Sequence, residues 1–494
     1  MEVKDREKAV TTANRSAWFT LGILSSTLLV VFFSETMLLP AIPEIMQDFN
    51  IPYGTAAWIF SAYLIVAAVM TPIAGRMSDL YGKKKVLLIL LATYVIGTAA
   101  GGFSNNIVFL LASRVIQGVG LAAVPAAFSL LRDTFPPSKL AIAVGVFGSA
   151  YSAGSVVGLL IGASIIQHFG WHSTFFTIVP FAAIVTLMIA RFVKESKSQS
   201  IPAAKAPENI TEKKRASSSP SIDMKGTAAL SATIVSFLLA LTLVETGVSS
   251  ENLPQIVAAF IASVISLAAF VAIERKVVLP LLDLRLLRDK ILLPSYIILM
   301  VTGATMFMAY PSIVQLVRSP APLGFGGSAV DAADVQLPFM IMFLVFASVT
   351  PFIINRIGNI RPIIIGAAIS LIGSLGLLAF HSTGVAVSAS LAVIASGLSM
   401  IATSGWNVVV SSSPKAFTGI SVGVGALLLF IGMAIGPALA GIYMEKHETI
   451  EGVQGSYPSP ESYNLVFLTS GLLSAVSLGF ALVLRSKARK EIEA

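Results

Sequence analysis

Between residues 18 and 484 the chain turns apolar for about 20 residues at a time, repeatedly, with little else in between. A stretch of that length, wound as a helix, crosses a hydrocarbon layer roughly 30 Å thick. Inside such a layer the backbone must satisfy its own hydrogen bonds, which helices do. Fourteen segments qualify: 18–43, 54–75, 86–104, 107–131, 141–166, 174–192, 226–247, 253–273, 291–317, 335–354, 361–380, 385–410, 418–444 and 464–484. The residues are 55% hydrophobic and 12% charged, with a mean hydropathy of +0.86, far from soluble averages. The expected class is an all-α polytopic membrane protein with 14 transmembrane helices.

Charge predicts the orientation. With the amino terminus in the cytoplasm, all but three of the 33 Lys and Arg residues fall in cytoplasmic segments. The exceptions are Arg114 inside segment 4, and Arg318 and Lys446 outside. Glu445, Glu448 and Glu451 fall on the outer side. This is the positive-inside pattern; it places both termini in the cytoplasm and accounts for the net charge of +8 without nucleic acid. Segment 1 is longer than a signal-peptide core and has no evident cleavage site, so it is expected to stay attached. The chain has no cysteine, hence no disulfide or thiol chemistry.

One glycine skeleton occurs twice. Gly145, Gly154, Gly158, Leu159, Gly162 and Ala163 are matched by Gly423, Gly432, Gly436, Pro437, Ala440 and Gly441, each 278 residues later. Glycines at every fourth position leave a bare helical stripe that another backbone can approach. Such stripes in corresponding places predict a duplicated bundle, the usual plan of a membrane transporter. A weaker repeat pairs Gly75–Lys85 with Asn355–Arg361, Gly358 lying 276 residues after Gly82. The expected organisation is a six-helix bundle over 1–195, a flexible cytoplasmic linker over 196–225, two inserted helices with a surface connector over 226–290, and a second six-helix bundle over 291–494. The linker is rich in Ser, Lys, Pro and Ala, a composition that buries no core. In the connector, Leu281, Leu282, Leu284, Leu286 and Leu287 interleave with Asp283, Arg285 and Arg288, which suits a short helix on the inner membrane surface.

On these residues the chain resembles the major facilitator superfamily and, more narrowly, its fourteen-helix drug:proton antiporter branch. Gly75, Asp79, Gly82, Lys83 and Lys84 are similar to the family's first signature, with Met77 and Leu80 departing from it. Arg114, Gln117, Gly118 and Gly120 resemble the second. The segment 5 glycines resemble the antiporter signature, except that Leu159 stands for its Pro and Ala163 for its last Gly. Trp58, Tyr63 and Pro72 on segment 2 also fit. Glu274 and Pro280–Arg285 resemble the connector typical of the fourteen-helix branch. The resemblance implies a major facilitator fold, export in exchange for protons, and a part in proton movement for the arginine at position 114.

Only Glu35 and Arg114 place an ionisable group clearly inside the apolar spans. Charges there are costly, so each is a candidate functional residue. Glu35 lies about 8 residues from the outer end of segment 1, and Arg114 about 7 from the outer start of segment 4; at ~1.5 Å per residue both sit roughly 10–12 Å deep. They are therefore able to pair, either as a proton or cation site or as a static structural pair, and backbone carbonyls are another partner for Arg114. Asp331 and Asp334, at the outer start of segment 10, suit a helix cap or an outer proton port. Asp79, Lys83 and Lys84 suit a gate latch or plain charge anchors. Gln117, Tyr151, Tyr310, Gln315, Trp406 and Asn407 are candidates to line a substrate path. Met300, Met306, Phe307 and Met308 offer either a plastic binding surface or ordinary contacts to lipid and neighbours.

No G-x-x-x-x-G-K-[ST] loop is present, and His168, His172, His381 and His447 form no metal-like cluster beyond the loose pair 168 and 172. The expectation is a non-enzymatic, cofactor-free secondary transporter of the cell membrane, monomeric, driven by a proton gradient and binding small molecules, protons and lipid. It would export hydrophobic or cationic compounds by alternating access. An uptake symporter or facilitator for one metabolite, or a receptor that kept the fold, are the alternatives.

Overall fold

The computed structural model describes residues 2–51, 53–195, 223–245, 252–277, 285–413, 418–444, 447–449 and 456–493. The linker up to residue 222, and the connector residues 278–284, lie outside that set.

Fourteen spans are present among the described residues, one for each apolar segment. Two are broken by proline. The first runs as α1 (Glu2–Met37), a 3-10 turn (Leu39–Ala41) and α2 (Ile42–Phe49). Pro40 and Pro43 lack the N–H that a continuous helix needs, so the ladder is interrupted there. α3 (Tyr53–Tyr81) and α4 (Lys83–Gly101) follow. The fourth span is α5 (Ile107–Leu121) and α6 (Ala123–Thr134), divided just before Pro125. α7 (Pro137–Phe169) and α8 (His172–Phe192) complete the first half. The inserted pair is α9 (Met224–Glu245) and α10 (Leu253–Glu274). The second half comprises α11 (Leu292–Arg318), α12 (Ala329–Ile357), α13 (Ile360–Ala379), α14 (Gly384–Ser412), α15 (Thr418–Met444) and α16 (Pro460–Glu493). A small antiparallel pair, β1 (His447–Thr449) and β2 (Ser456–Pro458), joins the last two helices. Of the expected surface helix in the connector, the described part forms only a 3-10 turn at Leu286–Arg288.

The halves repeat each other contact by contact. α1 packs on α7 as α11 packs on α15, and α4 on α5 as α13 on α14. The reason is visible at the glycines. A Cβ on Gly162 would lie 2.6 Å from Met37 of α1, and one on Gly436 would lie 2.7 Å from Ala304 and Met308 of α11. No side chain fits at either place, so the backbones touch. Gly82 and Gly358, the other matched pair, both hold positive φ, +98° and +83°, where an L side chain is strained. The skeletons also diverge: Gly145 meets Pro351 of α12, whereas a Cβ on Gly423 would meet nothing within 4 Å.

Two seams join the halves, α3 against α15 and α7 against α12, and the repeat relates one to the other. α9 and α10 pack together, and α9 leans on both α15 and α3, so the inserted pair sits at a seam. α11 is buried along nearly its whole length, which turns Met306, Phe307 and Met308 toward protein rather than lipid.

Candidate functional site

Glu35 and Arg114 meet inside the first half, on α1 and α5. Nη2 of Arg114 donates to Oε2 of Glu35 at 3.2 Å, and both side chains are at most 2% exposed. Nη1 donates to Oε1 of Gln117 at 2.6 Å, one helical turn on, and Nε donates to the carbonyl of Ile59 on α3 at 2.9 Å. The guanidinium also lies over the ring of Tyr63, 4.2 Å from its centroid. Gln117 in turn donates to the hydroxyls of Ser34 at 3.1 Å and Thr98 at 3.0 Å. Four helices therefore converge on one cation.

Bare positions bring those helices close enough. Gly118 faces the carbonyl of Tyr63 on α3, and Gly120 faces Tyr94 on α4. A planar fork with several donors, a carboxylate and a ring face together hold a charge that the hydrocarbon would otherwise exclude. One acceptor is left open: among the described residues, Oε1 of Glu35 has no hydrogen-bond partner. Gln117, grouped from the sequence with the path-lining residues, is instead fully buried behind Arg114.

The other candidates sit elsewhere. The Tyr151 ring packs between Phe32 of α1, at 4.1 Å, and Phe343 of α12, at 5.5 Å, and its hydroxyl reaches the Met306 sulfur at 3.4 Å. Tyr310 packs on Phe339 at 5.2 Å, and its hydroxyl is buried without a partner. An aromatic column thus crosses from the first half to the second at the seam of α7 and α12. Trp406 stacks 6.1 Å from Phe128 of α6, a second aromatic bridge between halves, and Asn407 donates to its own helix at Thr403. Gln315 lines a narrow crevice between the halves, together with Leu39, Ile42, Phe60, Pro311, Val314 and Pro437.

Two groups of charged candidates have local work. Asp331 is exposed and completes a capping box: its carboxylate accepts from the Ser328 N–H at 2.7 Å while the Ser328 hydroxyl accepts from the Asp331 N–H. Asp334, one turn on, is also exposed. In the loop between α3 and α4, Lys83 pairs with Asp133 of α6, and the Lys84 ammonium donates to the carbonyl of Ala190 on α8 at 2.7 Å. Both ties stay inside the first half. Gly75 has open space around it, and the Asp79 side chain lies outside the described set.

Several contributors were not singled out from the sequence. Phe32, Phe339 and Phe343 of the aromatic column look like ordinary apolar residues of a span. Gln336, buried on α12 and donating to the carbonyl of Tyr310, carried a usable signal as a lone amide in an apolar segment. Glu44 and Arg318 stand at segment ends, where charge is unremarkable.

Comparison with known proteins agrees with this layout. A sequence model described as Major Facilitator Superfamily matches residues 24–333. The tetracenomycin C resistance and export protein of Streptomyces glaucescens is 28% identical over 433 residues, 86% of this chain and 76% of that protein. The multidrug efflux pump LfrA of Mycolicibacterium smegmatis is 26% identical over 435 residues, 86% of this chain and 80% of the pump. Among solved structures, the human organic anion transporter MFSD10 (TETRAN) superposes with a TM-score of 0.64 at 15% identity, covering 94% of this chain and 99% of that one. At that identity the likeness speaks to fold alone.

Proposed function

Because the chain belongs to the major facilitator superfamily, we propose that it exports hydrophobic or cationic small molecules from the cytoplasm in exchange for protons. Its fourteen apolar helices make it a multi-pass protein of the cell membrane, in a family of transporters rather than enzymes. The relatives named for resistance and efflux support the outward direction. The observation that carries proton coupling is the desolvated Glu35–Arg114 pair with one carboxylate oxygen unpartnered. A carboxylate held by an opposite charge in a dry bundle changes its proton affinity when water or a cation reaches it. Rocking of the halves at their two seams then exposes it to alternate sides.

The test is dye transport in inverted vesicles under an imposed pH gradient, native chain against Glu35→Gln. Native vesicles should concentrate a lipophilic cation and release protons as they do so; Glu35→Gln should bind the dye yet lose the gradient dependence. Vesicles that move no compound, or coupling that survives in Glu35→Gln, would overturn the reading. The membrane potential alone supplies about 2.3 kcal/mol per charge at 100 mV, so the imposed potential must be held constant between samples.

A further inference from the structure

We propose that Arg318 and Glu44 form a latch that locks the two halves together at the face opposite the termini and closes the crevice lined by Gln315. That this face is the extracellular one rests on the positive-inside orientation expected from the sequence, on which the export reading also rests.

Arg318 is the last residue of α11, in the second half. Its Nη1 donates to Oε1 of Glu44 at 2.9 Å and to the carbonyl of Pro40 at 3.3 Å, both in the first half. The two side chains are only 18% and 32% exposed, so the pair is partly shielded from water. Glu44 is not on a loose loop. α2, which carries it, is tied down at its far end, where Asp48 accepts from the indole N–H of Trp171 at 2.8 Å and Phe49 packs edge-on to the same ring at 5.6 Å. When the halves separate here, the arm cannot follow Arg318, and the ion pair itself must break.

The crevice lies directly beneath. Leu39 and Ile42 flank Pro40, and Gln315 stands one turn before Arg318 on the same helix. Oε1 of Gln315 is buried in this apolar gap without a hydrogen-bond partner among the described residues. A solute leaving the crevice toward this face passes between Arg318 and Glu44. Closure rests on one ion pair and one hydrogen bond to a backbone carbonyl, and a partly exposed pair of this kind is weak enough to release.

The chain contains no cysteine, so Val314→Cys provides a single thiol in the crevice wall. Its rate of alkylation by a membrane-impermeant maleimide, added outside intact cells, reads how often the face opens. Adding Glu44→Gln or Arg318→Gln should raise that rate about fivefold, which corresponds to about 1 kcal/mol. Exchanging the charges, Glu44→Arg with Arg318→Glu, should return it to within about twofold of the Val314→Cys chain. Unchanged rates in the single variants, or an exchanged pair labelled as fast as they are, overturn the latch. Should the exchanged pair fail to insert, Glu44→Cys with Arg318→Cys replaces it. Joined by a short bifunctional thiosulfonate, that chain should stop transporting until the linker is reduced; native transport while linked also overturns the proposal. Alkylation does not require proton coupling, so failure of the latch and failure of the antiport reading are seen separately.

Discussion

Arg114 shows how one side chain organises its surroundings. It satisfies a carboxylate, an amide and a backbone carbonyl at once, from three directions. Removing one member leaves a buried charge with nothing opposite, a change that typically costs about 3–5 kcal/mol. Arg114→Lys keeps a charge opposite Glu35, but an ammonium cannot reproduce the planar fork, so the variant should still lower the thermal midpoint of the detergent-solubilised protein. Ser34→Ala, which removes an acceptor for Gln117, should cost about 1 kcal/mol in the same melting assay. The pair was legible in the sequence because charges inside apolar segments are scarce and helical rise fixes their depth. Gln117, a candidate for the substrate path, lies three residues after Arg114, a spacing that puts both on one helix face, where the structure joins them. The Arg318–Glu44 contact was not legible: each residue ends a segment, and only the tertiary packing shows that they face each other across a seam.

At the scale of helices, close packing rather than hydrophobicity sets which pairs touch, since lipid is as apolar as leucine. The duplicated glycines make a paired prediction. Gly436→Val should abolish accumulation in the membrane or leave a chain that aggregates on extraction, because its side chain has no room against α11. Gly423→Ala, in the matched skeleton but facing open space, should change the melting midpoint by no more than about 0.5 kcal/mol equivalent. Equal losses at both positions would show that the stripe acts through helix flexibility instead of contact. Spacing alone revealed that the glycines repeat; it did not reveal which have a partner. Nor did it reveal the interruptions near Pro40 and Pro125, since Pro72, Pro311 and Pro437 stand inside spans whose helices run on unbroken.

For the whole molecule, the legible part was the count of spans and the internal repeat, because both follow from length, hydropathy and period. Which helices form the seams was not legible, as it depends on packing between residues far apart in the chain. With an even number of crossings, green fluorescent protein fused to either end should fluoresce and alkaline phosphatase there should stay inactive. A phosphatase insertion between β1 and β2 should be active. Opposite results at the two ends would mean that one span does not cross.

The two seams correspond under the internal repeat: each sets the second span of one half against the fifth of the other. Halves repeated in this way are related by an axis along the membrane normal, so the seams are two hinges of one door: both turn in every swing, and neither replaces the other. The match is not complete: a Cβ on Gly145 would meet Pro351, whereas one on Gly423 would meet nothing within 4 Å. The two hinges are therefore unequal, and a substitution in one seam is not interchangeable with its counterpart in the other.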